Sequence, residues 1–189
     1  MAPCDLITFH TDYLKCNNMT REDGKFDAGD SPVGFAHHDH GACVSDTLAA
    51  ADARCAADGL RFTPVRRKVL EILLQEHRAL GAYAILDKLR DEGFGSQPPV
   101  AYRALDFLVA NGLAHKIERL NAFIACVHPS QSHTPAFMIC RVCDAVAETH
   151  SSPARGALGE AARATGFRIE RTVVEAEGLC PSCVDKGDA

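Results

Sequence analysis

The chain has 189 residues, nine cysteines, no tryptophan and a formal net charge of −5. That length builds one medium domain or two small ones, and the scarcity of aromatics argues against an aromatic-lined cofactor pocket. No apolar run reaches the roughly 18 residues needed to span a bilayer. The opening Met1-Ala2-Pro3-Cys4-Asp5 lacks the basic start and apolar stretch of a signal peptide, so a cytoplasmic protein without a membrane partner is expected.

In a reducing cytosol, nine cysteines point to metal or redox work rather than a disulfide framework. The negative charge argues at first against nucleic acid, but it is unevenly spread. Residues 1–43 carry 3 Lys/Arg against 7 Asp/Glu, residues 44–125 carry 11 against 10, and residues 126–189 carry 6 against 8. The middle of the chain is near neutral, with local basic clusters.

Residues 1–43 are polar, Asp/Gly-rich and aperiodic, and read as a flexible extension. Asp46 to Asp58 is Ala-rich and helical, with Gly59 as its stop. Thr63-Pro64 reads as an N-cap followed by proline at the first helical position. The helix it opens places Val65, Val69, Ile72 and Leu73 on one face. After Gly81 a third helix aligns Ala82, Ile85, Leu86 and Leu89 and closes near Gly93. Pro98-Pro99 launches a fourth, ending at Gly112. Strands are predicted over Leu113–Glu118 and Phe123–Cys126, joined by a turn centred on Leu120-Asn121. Three helices with tight turns followed by a hairpin predict a winged helix-turn-helix over residues 44–127.

Residues 128–134 are the predicted hinge. Beyond it, strands over Ala136–Ile139 and Ala145–Thr149, a helix over Pro153–Ala164 and a β-rich return over Phe167–Ala176 predict a small α/β domain spanning residues 135–189. The fold class is therefore α+β.

Cys140-Arg141-Val142-Cys143 and Cys180-Pro181-Ser182-Cys183 carry the strongest chemical signal. A two-residue gap turns two sulfurs inward from one knuckle, and two knuckles supply four thiolates to a closed tetrahedral zinc site. The competing reading is a pair of redox CxxC motifs. A thioredoxin-type motif follows a strand and opens a helix, whereas the first pair lies between two predicted strands and the second near the C-terminus. A zinc deaminase is set aside, because proline follows Cys180 rather than preceding it and no His-x-Glu lies upstream.

A tight, unbulged turn at Leu120-Asn121 would set His115 directly opposite Cys126, with Cβ atoms roughly 4.5–5.5 Å apart. With His133 in the hinge and Glu148 on the second C-terminal strand, these residues form a His/Cys/His/Glu set drawn from both sides of the hinge. The thiolate favours zinc over iron(II) or manganese. Four protein ligands leave no open position for substrate water, which argues against a hydrolase. From spacing alone, four unrelated residues remain the competing reading.

These residues, together with Tyr102-Arg103-Ala104-Leu105-Asp106-Phe107-Leu108, His115-Lys116-Ile117-Glu118 and Glu177-Gly178-Leu179-Cys180, resemble the ferric uptake regulator family, most of all its zinc-uptake branch. The resemblance runs from about Asp46 to Cys183. It implies a homodimer with a winged helix and a C-terminal dimerisation domain, which binds AT-rich palindromic operators when zinc-loaded and represses zinc-uptake genes. It also implies two zinc ions per subunit. Cys140, Cys143, Cys180 and Cys183 match the structural site, and His115, Cys126, His133 and Glu148 match the regulatory one. Tyr102 and Arg103 match the DNA-contacting pair. Val127–His133 holds fewer histidines than the iron branch, leaving His128 as an auxiliary ligand candidate.

On the fourth helix, Tyr102, Arg103 and Asp106 fall outside the apolar stripe of Ala101, Leu105, Leu108 and Val109. An arginine there can donate bidentately to guanine in the major groove. Arg61, Arg66, Arg67 and Lys68 are candidates for phosphate contacts that fix register without reading sequence. His37-His38-Asp39-His40 with Cys43 reads either as a weak metal tract or as a plain tail. Competing functions are an iron- or peroxide-responsive regulator and, from another class, a zinc-stabilised CxxC thiol oxidoreductase.

Overall fold

The computed structural model describes residues 40–75, 78–95, 97–127, 129, 134–150 and 156–187. The expected extension lies outside these residues as far as position 39, as do His37, His38, Asp39, His128 and His133.

Four helices come first: α1 (His40–Ala57), α2 (Pro64–Leu74), α3 (Ala82–Asp91) and α4 (Pro98–Ala110), with a short strand β1 (Leu80–Gly81) before α3. Helix α1 begins earlier than its Ala-rich stretch suggested. Helix α2 starts where the sequence signal placed it, with the Thr63 hydroxyl accepting from the Arg66 amide at 3.4 Å and Pro64 in the first turn. Helix α4 is closed off by Gly112 (φ 63°), two residues past its end, whose left-handed backbone lets the Leu113 amide return to the Leu108 carbonyl at 2.8 Å. Leu70, Leu73, Ile85, Leu89, Leu105 and Leu108 are fully buried and form one core between the helices. On α4 the buried stripe is Ala101, Ala104, Leu105 and Leu108, while Val109 lies at the surface.

The wing consists of β2 (Ala114–Ile117) and β3 (Ala122–Ala125), with β1 on the outer side of β3. Its register corrects the expectation. His115 pairs with Ile124, not Cys126, and the Cys126 amide donates to the Leu113 carbonyl at 3.1 Å. The cause is a four-residue loop, Glu118 to Asn121, in place of a tight two-residue turn. Asn121 takes the left-handed conformation (φ 45°) and donates to the Glu118 carbonyl. Because the slip is by two residues, side-chain faces are preserved. His115 and Cys126 are diagonal neighbours on one face rather than direct partners.

The C-terminal part has β4 (Pro135–Cys140), β5 (Val146–His150), α5 (Ala157–Thr165), β6 (Val174–Gly178) and a short α6 (Pro181–Asp185). The sheet order is β5-β4-β6, with β5 antiparallel and β6 parallel to β4. Helix α5 begins four residues later than predicted and is bracketed by Gly156 and a left-handed Gly166. The predicted β-rich return over Phe167–Ala176 is a strand only from Val174 onward. Residues before it leave the sheet and carry Arg171 to the wing turn, where it pairs with Glu118 at 3.2 Å.

The wing lies against this sheet. Ile117 and Ile124 from the hairpin form a second buried cluster with Phe137, Ile139 and Val146 from β4 and β5. An isolated bridge, Arg78 to Ala145, adds a backbone link between the two parts. Truncating Leu105, which is inaccessible in the helical core, is expected to cost about 2–5 kcal/mol. Urea unfolding of Leu105→Ala against the unaltered protein measures this, and a midpoint unchanged at constant slope would place the core elsewhere.

Candidate metal centres and nucleic-acid interface

Both cysteine knuckles emerge from the same end of the C-terminal sheet because β6 runs parallel to β4. Cys140 ends β4 beside Gly178, which ends β6, and the Arg141 amide donates to the Gly178 carbonyl at 2.9 Å. The first knuckle turns over Cys140–Cys143, with Asp144 in the left-handed conformation (φ 57°). In the second, Cys180 caps α6 and its carbonyl accepts from the Cys183 and Val184 amides, both at 3.0 Å. One sulfur from each of Cys140, Cys143, Cys180 and Cys183 lies within 4.8 Å of all the others, and Cys143 Sγ and Cys180 Sγ are 3.7 Å apart. A tetrahedral zinc–thiolate site with bonds of about 2.3 Å separates its sulfurs by about 3.8 Å, so the donor set fits.

The cluster's titration is uneven. Burial raises the Cys140 thiol, but backbone amides of Cys143, Cys180 and Val142 overcome that and bring its pKa down to about 6. Burial, then hydrogen bonds from its three neighbours, pushes Cys183 up to about 12. For Cys143 the Ala145 amide acts downward, yet burial and the neighbouring sulfurs outweigh it and the pKa is raised. Four thiolates cannot share so small a volume without a cation between them.

The second cluster lies between the wing and the C-terminal sheet. His115, Cys126 and Glu148 each present a ligand atom within 4.8 Å of the other two. His115 Nε2 is 3.3 Å from Glu148 Oε1, and the other Glu148 oxygen accepts from the Val127 amide at 3.1 Å. Glu148 is the one buried polar or charged residue among those described, and Cys126 is likewise sealed. A buried carboxylate requires compensating charge or hydrogen bonds, which both sides supply here. The structure thus joins three members of the predicted set. His133, the fourth, lies outside the described residues.

Tyr102 (43 % accessible), Arg103 and Asp106 are exposed on one face of α4, and the Arg103 Nε–H donates to the Pro99 carbonyl along its own helix. The other basic candidates differ in their freedom. Arg66 stacks on the Phe107 ring at 3.7 Å and donates to the Arg61 carbonyl. Arg67 pairs with Asp52 at 3.1 Å, and Lys68 lies between Glu71 and Glu92. Arg61 remains exposed.

Sequence reasoning missed the contacts between the wing turn and β6. Glu175 accepts from the Glu118 and Arg119 amides at 2.7 and 3.0 Å, and Arg119 pairs with Glu177. The partners are more than fifty residues apart, and no local pattern marks them.

Residues 57–177 match the ferric uptake regulator family. The zinc uptake regulation protein of Escherichia coli (strain K12) is 38 % identical over 143 residues, covering 75 % of this chain and 84 % of that protein. Its counterpart in Shigella flexneri matches equally. Among solved structures, a zinc uptake regulator complexed with zinc and DNA superposes with a TM-score of 0.73 at 37 % identity, over 77 % of this chain and 98 % of the other. The holo form of XcZur gives 0.66 at 39 % identity, over 73 % and 96 %. The chain belongs to the ferric uptake regulator family.

Proposed function

We propose that this protein is a zinc-responsive transcriptional repressor that binds operator DNA as a dimer. The observation that carries the reading is the His115/Cys126/Glu148 cluster, whose ligands come from the wing on one side and the C-terminal sheet on the other. Filling such a site fixes the angle between a DNA-reading element and the body that holds it. The related proteins named for zinc uptake regulation, and the relative solved with zinc and DNA, support zinc as the signal and duplex DNA as the partner.

Each residue then has a part. Cys140, Cys143, Cys180 and Cys183 hold a structural zinc that ties the C-terminus to the sheet. His115, Cys126 and Glu148, completed by His133, hold the regulatory zinc, giving two ions per subunit. Arg103 reads a guanine and Tyr102 contacts a phosphate or a thymine methyl, while Arg61 meets phosphate directly and Arg66, Arg67 and Lys68 do so once their present partners yield. Strand β6 is a sheet edge, and Leu158 and Phe167 are 52 % and 69 % accessible. Both features suit pairing with a second copy. Residues 44–127 would be the reading domain, 128–134 the hinge and 135–189 the dimerisation domain, and no described helix is long and apolar enough to cross a membrane.

Two wings must meet half-sites roughly 34–36 Å apart, and moving a population from mostly wrong to mostly right geometry takes about 5.5 kcal/mol of preferential binding. A thiol oxidoreductase is disfavoured by the cluster itself. Its four sulfurs converge within 4.8 Å of one another, the donor set of a closed tetrahedral zinc site rather than of a free attacking thiol.

Operator binding followed by fluorescence anisotropy during a zinc titration, with metal counted by native mass spectrometry, tests the reading. Binding should appear as a second zinc fills each subunit. Two tight zincs without a DNA response would overturn it. Arg103→Ala should weaken specific binding by about 1–3 kcal/mol while sparing zinc content, and unchanged affinity would sink that assignment. Cys126→Ser should keep the four-cysteine zinc and lose zinc-dependent operator binding. Loading the four-cysteine site should release protons near neutral pH, because Cys183 and Cys143 start protonated, so affinity falls as pH falls. A pH-indicator titration that detects no proton release would exclude thiolate ligation.

A further inference from the structure

The wing is anchored to the C-terminal sheet at two separate points, and only one of them is a metal cluster. Across the sheet, Glu148 on β5 and Glu175 on β6 both pair with Phe137 on β4. Directly paired positions share a face, so Glu148, Phe137 and Glu175 form one row beneath the wing. The Glu148 end of the row meets His115 and the Val127 amide, where the hairpin begins and ends. At the other end Glu175 grips the hairpin's tip, its two carboxylate oxygens each accepting one of the adjacent Glu118 and Arg119 amides. The next row repeats the pattern, with Val146 and Glu177 flanking Ile139 and Glu177 paired to Arg119. Between the two ends lie Ile117, Ile124, Phe137, Ile139 and Val146, which hold the hairpin flat on the sheet.

The geometry points to Glu175 as a positioning residue for the metal response. It is a latch that holds the wing tip in the orientation in which His115 and Cys126 reach Glu148. The two anchors stand on opposite edge strands and grip one hairpin of four-residue strands. Tilting the wing away from Glu175 therefore also displaces the His115 imidazole from the Glu148 carboxylate. Each anchor limits the motion that would break the other, so latch and metal cluster strengthen each other reciprocally. The carboxylate is suited to this task, since two charge-assisted bonds to successive amides fix both the position and the direction of the turn. Glu175 is also five residues before Cys180 on the same segment, so the four-cysteine knuckle holds the latch strand at its far end.

The latch rests on the zinc-responsive reading, and the experiment separates the two. Zinc affinity of the second site is measured by chelator competition on the full-length protein, alongside amide hydrogen exchange of residues 113–126. Glu175→Gln is compared with Glu160→Gln, at an exposed glutamate in the first turn of α5. Glu175→Gln keeps the side chain's size but replaces one accepting oxygen with a donor. It should weaken the second zinc about tenfold, the factor one charge-assisted hydrogen bond supplies. It should also speed exchange at Glu118 and Arg119 while leaving the four-cysteine zinc in place; Glu160→Gln should change neither. Unchanged second-zinc affinity, or exchange at Glu118 and Arg119 equal to wild type, would overturn the latch. Failure of the unaltered protein to take up a second zinc would instead overturn the reading beneath it, and the exchange comparison would still decide whether Glu175 holds the turn.

Discussion

Glu148 is a carboxylate sealed between two bodies, and the arrangement of the rest follows from the need to compensate it. The Val127 amide meets one oxygen and the His115 imidazole the other, and both belong to the chain that forms the wing and leaves it. Removing the wing from the sheet would expose Phe137, Ile139 and Val146 and take the His115 imidazole from Glu148. In this way a buried charge converts the relative placement of two parts into an electrostatic question. A dication beside Cys126 answers that question more strongly than hydrogen bonds alone do.

The two candidate metal clusters differ in kind because of where their side chains originate. All four cysteines come from two turns at one end of one sheet, made neighbours by the parallel pairing of Cys140 with Gly178. Occupancy there closes the C-terminal segment locally and becomes folding energy. His115 and Cys126, by contrast, are diagonal partners on a hairpin whose strands have four residues each, and Glu148 belongs to a different sheet. Under the proposed function, occupancy of that site would restrain a motion rather than a fold.

Much of this was legible in the residues themselves. Thr63-Pro64, Pro98-Pro99 and Gly112 punctuate the helices through local backbone chemistry that a sequence displays directly. The two CxxC pairs identified one cluster by spacing, and strand parity kept His115 and Cys126 on one face even though the register was off by two. The register itself was not legible. It is set by a four-residue turn whose amides are held by Glu175, a partner 57 residues from Glu118 that no local pattern reveals. The late start of β6 is likewise a tertiary choice, since its first residue, Val174, already pairs with Ala136 next to Pro135, where β4 begins.

That missed register bears on how a signal travels. Had His115 stood directly opposite Cys126, the hairpin alone would have offered two close ligands, and the C-terminal sheet would have added little to the choice of geometry. The diagonal arrangement places the two ligands further apart, so a third ligand from the sheet must draw them to a common point. Glu148 can do so only when the hairpin lies flat, a posture set by Ile117 and Ile124 at its centre and by the turn amides at its tip. The slip of two residues thus makes the cluster depend on the whole wing, and dependence of that kind is what the proposed function requires of an ion that sets the angle of a DNA-reading element.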